Sequence, residues 1–352
     1  MDAPTETSRK CYVLGAGFSH ACGLPLARDL TRTVYKHTFD DPNIAALNNA
    51  AERRIRHMRF FFERCDCENI WPDFEQLLSF VDEYLDYAAD FAQAGGVIPP
   101  LAPTTDLKAS LIRGLMIMLA ERSKNTAPAT LQAVERFATR ACDGRAGIIS
   151  FNWDCLIEMA CQRGARQVTY TSDVPNQLRL LKPHGSVNLV EPFAQKYDTE
   201  YAPAVNVRNI RELERAGDRV VLQAEDPFDA ANRTLYPFAM DDWLVVPPGA
   251  RKSFDSPWIK KQWKFALDML RSAGEITVIG YSLPEFDIRS RLLFRLAVVR
   301  KAHADAPTVR IIDPSPGPIV EGLTALGYNR IECIARPWQD WLTDESRQIN
   351  SG

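Results

Sequence analysis

The composition of the chain excludes several classes of protein. It has 352 residues and a formal net charge of -3, so it lacks the basic balance that attracts nucleic acid through phosphate contacts. A hydrophobic content of 46% and a charged content of 25% are typical of a globular protein. No apolar run approaches the roughly 20 residues that span a bilayer, and the first residues, MDAPTETSRK, lack the apolar core of a signal peptide. We therefore expect a cytoplasmic protein that binds neither membrane nor nucleic acid directly.

The eight cysteines form no metal-binding pattern. No two of them have the C-x-x-C spacing of a zinc ribbon or a thioredoxin site. Cys65 and Cys67 lie closer together than that, and no second pair matches them. Free thiols in a reducing compartment and no metal site are therefore expected.

The stretch Val13–Pro25, VLGAGFSHACGLP, has the features of an anion site. Before it, Lys10–Leu14 is predicted to be a buried strand, and after it Leu26–Thr38 is predicted to be a helix. The small residues between them allow a backbone to approach a phosphate, and unpaired N–H groups converge where a helix begins. By itself, however, the same pattern also fits a glycine turn that only connects a strand to a helix.

The next hundred residues have a different character. Apolar residues recur there at steps of three and four, as in Phe74, Leu77, Leu78 and Val81, and this is the helical period. No strand-like alternation is present. We interpret residues 40–140 as a helical insertion between two parts of one Rossmann-type domain, residues 1–39 and 141–352.

Beyond this insertion, strands alternate with helices. The predicted strands are Ala146–Phe151, Gln167–Tyr170, Leu178–Leu181, Asp242–Val246, Glu275–Gly280, Thr308–Ile312 and Ile331–Ile334. Ser256 and Pro257 are a good N-cap and first-turn pair for a helix that ends at Ser272. In contrast, the stretch Val187–Asp241 is polar, carries several prolines and has no clear period, and it is expected to be an irregular excursion over the site rather than sheet. The alternation predicts an α/β fold, a Rossmann-like parallel sheet with helices on both faces.

Polar or small residues follow five of the predicted strands. They are Gly15–Ser19, Asn152, His184, Ser282 and Asp313. In parallel sheets, ligands bind at the carboxyl ends of the strands. Together these five strand ends predict one ligand site.

The motifs that contain these residues resemble those of a known family. GAGFS, GLP, FNWD, KPHGS, GYSLP and IIDPS stand in the order found in the sirtuin superfamily, and they look most like its sirtuin-like branch of bacterial antiphage-defence NAD hydrolases. The resemblance covers both ends of the chain, roughly half its length. Two departures argue against protein deacetylation. No cysteine lies between His184 and Gly280, so the zinc module of deacetylating sirtuins is missing, and Leu26-Ala27-Arg28 replaces their Asp-Phe-Arg segment.

The resemblance implies NAD as substrate, no metal, and a set of site residues. Asn152 matches the catalytic asparagine, which holds a ribose hydroxyl or orients water, and His184 matches the catalytic histidine, which acts as a general base. The implied NAD-binding residues are Gly15, Ala16, Gly17, Phe18, Ser19, Asp154, Gly280, Ser282 and Asp313. Within this set, GAGFS would cradle the diphosphate. For Asp154 two roles stay open, because it either faces the nicotinamide or caps the next helix.

The implied reaction is hydrolysis of the nicotinamide–ribose bond to nicotinamide and ADP-ribose, which depletes NAD in antiphage defence. Two alternatives stay open, an ADP-ribosyltransferase and a non-catalytic scaffold that senses NAD or ADP-ribose. Such an activity needs control, and because only about forty residues follow Asp313, we expect no sensor domain after it. We expect control by homo-oligomerisation or by a separate partner, such as a ring-forming ATPase or an Argonaute-like protein, docked on the charged residues Glu52–Arg54 and Arg56.

Overall fold

The chain forms two compact units. The structure is a computed structural model that describes residues 9–26, 29–34, 74, 77–78, 87, 90, 93–95, 104–171, 174–192, 210–224, 243–246, 256–285, 287–299 and 306–350. The sheet unit comprises Met1–Leu24, Asn125–Asn188 and Phe254–Gly352, and the second unit comprises Pro25–Lys124 and Leu189–Ser253.

The strands and helices are as follows. The strands are β1 (Arg9–Leu14), β2 (Gly147–Ser150), β3 (Gln167–Thr169), β4 (Gln177–Leu181), β5 (Gly185–Val190), β6 (Ile210–Ala216), β7 (Arg219–Ala224), β8 (Trp243–Val245), β9 (Ala273–Ile279), β10 (Thr308–Ile312) and β11 (Ile331–Ile334). The helices are α1 (Ala16–His20), α2 (Thr104–Lys124), α3 (Pro128–Asp143), α4 (Leu156–Arg163), α5 (Pro257–Ser272), α6 (Ile288–Val298), α7 (Gly317–Ala325) and α8 (Trp338–Asn350).

The sheet unit contains a seven-stranded sheet of order β11-β10-β9-β1-β2-β4-β3. Every pair of neighbouring strands in it is parallel. The chain runs outward from β1 to one edge and then, with β9, to the other, so the order reverses between β1 and β9. This arrangement confirms the predicted Rossmann-like fold, and the reversal is the place where such sheets hold their ligands.

Helices cover both faces of this sheet. On one face Tyr12 of β1 packs edge-to-face against Phe137 of α3, with ring centroids 5.0 Å apart. Tyr12 is in register with Ile148, and the preceding residue Gly147 lies against Met269 of α5. Because successive strand residues point to opposite faces, α3 and α5 lie on opposite sides of the sheet.

The central strands are apolar along their length because both of their faces are buried. Val13, Leu14, Ile148 and Ile149 are each 0% exposed. At about 25 cal/mol per Å² of apolar surface, burying each such side chain stabilises the fold by roughly 2 kcal/mol. The sheet therefore forms a rigid base for the residues at its carboxyl edge.

The capping prediction for α5 is confirmed. Ser256 precedes the helix, its Oγ accepts a hydrogen bond from the Ile259 N–H at 3.2 Å, and Pro257 is the first helical residue. Ser256 therefore satisfies one of the N–H groups that a helix leaves unpaired at its start.

The prediction of an irregular stretch over Val187–Asp241 is wrong. A second sheet of order β6-β7-β5-β8 is present, and β6 and β7 form an antiparallel hairpin. Gly217, with φ +62°, and Asp218 make its two-residue turn between the paired residues Ala216 and Arg219. The hairpin escaped detection because β6, IRELERA, is mostly charged and its register shifts between Glu212 and Glu214, which breaks the period-two alternation.

The predicted insertion, residues 40–140, is described only in part. Its described residues are helical except for 94–95 and 125–127. By compactness the second unit begins at Pro25 and includes Leu189–Ser253, and α3 belongs to the sheet unit. The bounds of these compact units differ from those of the predicted domains. The division into an NAD-binding domain and a helical insertion stays a prediction. The charged residues of the predicted docking surface, Glu52–Arg54 and Arg56, lie outside the described residues.

Candidate functional site

The predicted site residues follow neighbouring strands of the sheet. Asp313 follows β10, Gly280 follows β9, Gly15 follows β1, Asn152 comes shortly after β2 and His184 comes shortly after β4. These five strands are consecutive in the sheet, and all of them are parallel. The fold thus brings the segments that carry these residues to one edge.

The glycines of the first motif hold two turns together. The Gly15 N–H donates to the Ile279 carbonyl at 3.1 Å, and the Gly17 N–H donates to the Gly280 carbonyl at 2.7 Å. A Cβ on Gly17 would lie 2.7 Å from the Gly280 Cα, and a Cβ on Gly280 would lie 2.3 Å from the Phe18 nitrogen. Gly280 also has φ +58°, which other residues rarely adopt. The glycines therefore serve close backbone packing, a role that the sequence did not reveal.

Fewer groups than predicted are left to meet a phosphate in this turn. Ala16 is exposed, and its N–H donates to no carbonyl of another described segment. This N–H therefore stays available to a ligand. Phe18 is 1% exposed and stacks on Trp338 at 4.5 Å, so its ring belongs to the core.

Two further predicted NAD-binding residues, Ser282 and Asp313, follow other strands of the sheet. Ser282 is exposed. One carboxylate oxygen of Asp313 accepts the Ser315 N–H at 2.8 Å.

A directed chain of hydrogen bonds joins Asn152, Ser19 and Asp154, which we call the amide cluster. The Asn152 side-chain nitrogen donates to the Gly15 carbonyl and to the Ser19 hydroxyl, both at 2.8 Å. The Ser19 hydroxyl donates to the Asp154 carboxylate at 2.6 Å. Because a carbonyl and a carboxylate only accept, the orientation of the amide is determined. Both amide hydrogens of Asn152 are used, and in the described part of the chain its Oδ1 accepts no hydrogen bond.

Asp154 also forms a hydrogen bond with the start of the next helix. Its Oδ1 accepts the N–H of Leu156, the first residue of α4, at 3.1 Å, and it is 5% exposed. The N-cap position of α4 is Cys155, so Asp154 satisfies one N–H group at the helix start from the preceding position rather than as the N-cap residue. Its contact with a nicotinamide ring stays a prediction.

Lys182 is a residue that the sequence interpretation did not single out. It is 1% exposed, and its ammonium donates to the carbonyls of Asn152 at 3.0 Å and Asp154 at 2.6 Å. Its nearest carboxylate oxygen is Glu158 Oε1, 3.6 Å away. Burial raises the pKa of Glu158, and the Lys182 charge opposes that rise. Lys182 thus fixes the backbone that carries the amide cluster, and its place in KPHGS, two residues before His184, was the available signal.

Further hydrogen bonds tie the FNWD motif to the KPHGS motif. The Trp153 indole N–H donates to the His184 carbonyl at 3.1 Å. The Trp153 carbonyl accepts from the Ser186 hydroxyl at 3.1 Å and from the Val187 N–H at 2.9 Å. The two segments predicted to carry the chemistry are therefore held against each other.

The His184 ring is buried but incompletely paired. It is 7% exposed, and its centroid lies 5.1 Å from that of Phe151 and 5.7 Å from that of Trp263. Its Nε2 has no hydrogen-bond partner among the described residues. Asp287 Oδ2 lies 3.4 Å from Nε2, yet the contact is too long or too bent for a hydrogen bond.

The described residues add two observations on metals and membranes. No group of three or more His, Cys, Asp or Glu side chains able to hold a metal ion occurs among them. Within the same residues, no helix is long and apolar enough to cross a bilayer. The six described cysteines are free thiols, and four of them, Cys11, Cys22, Cys155 and Cys161, are buried.

The chain is similar in structure to Sir2 proteins. A crystal structure of a Sir2 homolog–NAD complex is 13% identical with a TM-score of 0.45, covering 98% of this chain and 91% of that chain. A mutant Sir2 homologue in complex with ADP-ribose is 14% identical with a TM-score of 0.44, covering 100% of this chain and 98% of that chain. No family model and no curated protein matches the sequence. At these values the likeness assigns neither a family nor a function.

Proposed function

We propose that this protein hydrolyses NAD to nicotinamide and ADP-ribose, with Asn152 and His184 as its catalytic residues. The observation that carries the proposal is the attachment of the FNWD segment to the KPHGS segment through Trp153 and Lys182. These contacts hold the asparagine and the histidine of two separate motifs at one sheet edge. A polar site at the carboxyl ends of parallel strands is where such folds bind dinucleotides.

The side chains suit the reaction. When the bond between nicotinamide and C1′ of the ribose breaks, its electron pair stays on the nicotinamide nitrogen and positive charge develops on the ribose. Asn152 presents a neutral acceptor, Oδ1, to a ribose hydroxyl or to water, and its own hydrogens are occupied. His184 accepts the proton that the attacking water releases as the new C1′–O bond forms.

The proposed NAD contacts divide into two groups. The Ala16 N–H, the Ser282 hydroxyl and the second carboxylate oxygen of Asp313 are the groups we assign to the diphosphate and the adenosine ribose. In contrast, the N–H groups of Gly15 and Gly17 bind carbonyls of the protein itself. We therefore assign the diphosphate fewer backbone donors than the motif alone implies.

Product analysis tests the proposal. The protein is incubated with NAD and the products are separated by chromatography. We expect nicotinamide and ADP-ribose in equal amounts, and Asn152→Ala and His184→Ala are each expected to lower kcat by about 100- to 10,000-fold. Asn329→Ala, the same substitution at an exposed asparagine that is not a predicted site residue, serves as a control with unchanged turnover. Hydrolysis that survives both site substitutions contradicts the assigned roles.

The same experiment separates the two alternatives. An ADP-ribosyltransferase releases nicotinamide while the labelled ADP-ribose appears on protein or nucleic acid. A scaffold or sensor binds NAD in calorimetry and converts none of it. Either result overturns the hydrolase proposal.

The biological role that we propose is depletion of NAD in antiphage defence, with hydrolysis switched on by self-assembly or by a separate partner. The resemblance of the sequence motifs supports this role, since an ungated NAD hydrolase would harm its own cell. Specific activity measured over a dilution series, in parallel with the molar mass of the particles, tests the gate. Full activity of a monomer at every concentration contradicts it.

A further inference from the structure

The orphaned nitrogen of His184 points to a residue outside the predicted site. Nε2 is buried and has no hydrogen-bond partner in the described part of the chain. A buried polar atom without a partner lowers stability, so its presence in a native structure calls for an explanation. The carboxylate that faces this atom belongs to Asp287, with Oδ2 at 3.4 Å.

Asp287 is held firmly in place. It is 2% exposed, and its Oδ2 accepts the Ser290 hydroxyl at 2.6 Å and the Tyr281 hydroxyl at 3.0 Å. Its Oδ1 accepts the Ser290 N–H at 3.4 Å and so caps α6. Helix capping occupies Oδ1, whereas the oxygen nearest His184 is Oδ2. The two hydroxyls therefore hold Oδ2 on the side of His184, a contact that helix capping by Oδ1 does not require.

The surroundings of His184 limit the ring to small movements. Phe151 contacts it, and Phe151 is itself stacked on Tyr281, with centroids 4.6 Å apart. Trp263 lies against the imidazole as well. A modest rotation within this aromatic surround would bring the Nε2–H onto Asp287 Oδ2, and catalytic hydrogen bonds are often long or bent until substrate binds.

We propose that Asp287 is a positioning residue for His184: it holds the ring proton on Nε2 and so leaves Nδ1 as the nitrogen that accepts a proton. The role of that proton acceptor in NAD hydrolysis rests on the proposed function above, whereas the position of the ring proton does not. A carboxylate that binds one N–H of a histidine determines which ring nitrogen is basic.

The test combines NMR with kinetics on the full chain. The protein is labelled with ¹⁵N-histidine, the His184 signals are assigned by their loss in His184→Phe, and two-bond ¹H–¹⁵N spectra are recorded at pH 8.5. We expect a neutral ring with the proton on Nε2. A ring protonated on Nδ1, whether neutral or cationic, overturns the proposal, even if the protein proves to have no NAD hydrolase activity.

Asp287→Asn separates positioning from capping. Asparagine caps helices about as well as aspartate, so α6 is expected to remain intact. The carboxylate is lost, and we expect the fraction with Nε2–H to fall at least twofold and kcat to fall about 10- to 100-fold, with KM little changed. Unchanged spectra and unchanged kcat would show that Asp287 only caps the helix.

Ser256→Ala is the matched control, because it removes the N-cap of the adjacent helix α5. We expect a lower thermal midpoint in this variant and no change in the His184 spectrum or in kcat. If Asp287→Asn does not fold, Asp287→Ser retains a capping oxygen and also lacks the carboxylate. If the wild type has the proton on Nε2 but does not consume NAD, the proposed function fails and the positioning role stands.

Discussion

Two polar groups of residues lie at the carboxyl edge of the same sheet, and they differ in how their hydrogen bonds are used. In the amide cluster of Asn152, Ser19 and Asp154, each described donor has an acceptor and the directions of the bonds are determined. At His184 a buried ring nitrogen has no partner among the described residues, and Asp287 stands just beyond bonding geometry.

This difference separates groups whose hydrogen bonds stabilise the fold from a buried atom that forms none with the described residues. A satisfied network makes the backbone rigid and contributes to folding. An unpaired buried nitrogen lowers stability until it gains a partner. The paired groups of the amide cluster therefore stabilise this edge of the sheet, whereas Nε2 of His184 adds no described hydrogen bond to it.

The largest expected effect concerns the lysine that supports the amide cluster. Lys182→Met leaves Glu158 buried without its cation and frees the carbonyls of Asn152 and Asp154. We expect the free energy of unfolding to fall by about 3 kcal/mol, as when one partner of a buried ion pair is removed. Urea titration followed by circular dichroism measures the change.

The double variant Lys182→Met, Glu158→Leu is the matching test. Because replacing both partners removes the unpaired charge, we expect it to recover more than half of the loss. No recovery would mean that the carbonyl contacts, rather than the ion pair, give Lys182 its effect.

The next effect concerns the close packing of the turn at Gly15–Gly17 against the turn at Gly280. Gly280→Ala forces a Cβ to 2.3 Å from the Phe18 nitrogen at φ +58°, and we expect a loss of about 2–3 kcal/mol in unfolding free energy. In Gly317→Ala the new Cβ meets nothing within 4 Å, so that variant is expected to be neutral or slightly more stable. Equal effects of the two substitutions in urea unfolding would contradict the packing role.

A pair of single substitutions tests the comparison directly. Ser19→Ala removes the hydrogen bond to Asp154 Oδ2 and one of the two that the Asn152 amide donates, and we expect a loss of about 1–2 kcal/mol in unfolding free energy. His184→Phe removes a buried atom that has no described partner, so we expect the free energy of unfolding to stay the same or to rise. NAD hydrolysis is nevertheless expected to be abolished in His184→Phe. A large loss of stability in His184→Phe would contradict the distinction between the paired amide cluster and the unpaired nitrogen of His184.

The smallest effect is a dependence of stability on pH. Burial raises the pKa of Glu158 above its ordinary value of 4.5, so the native state holds its proton more tightly than the unfolded chain does. The stabilising contribution is present below the unfolded pKa and is lost as the pH rises through the native pKa. Glutamine does not titrate, so Glu158→Gln lacks this loss. We expect the unfolding free energy of the variant minus that of the wild type to increase as the pH rises from about 4.5 to about 7. Parallel pH curves for the two proteins would contradict the assignment.

Most of the sheet was readable from the sequence. The run Thr308–Ile312 and the run Ile331–Ile334 form strands with the predicted bounds. The helix after Ser256 begins as its capping pair predicted. Local patterns suffice here because apolar runs and capping residues act within a few positions of the chain. The β6–β7 hairpin was missed, since its charged first strand and its register shift hide the alternation.

The sequence by itself determined the order along the chain of the strands in the seven-stranded sheet and the small or polar residue types at their ends. Only the tertiary structure decided which groups are already paired. It binds the N–H groups of Gly15 and Gly17 to carbonyls of residues 279 and 280, directs the Asn152 amide toward Ser19, and places Asp287 beside His184. These partners are more than a hundred positions apart in the chain. A hydrogen bond depends on distances within a few tenths of an ångström, and no local pattern carries that information.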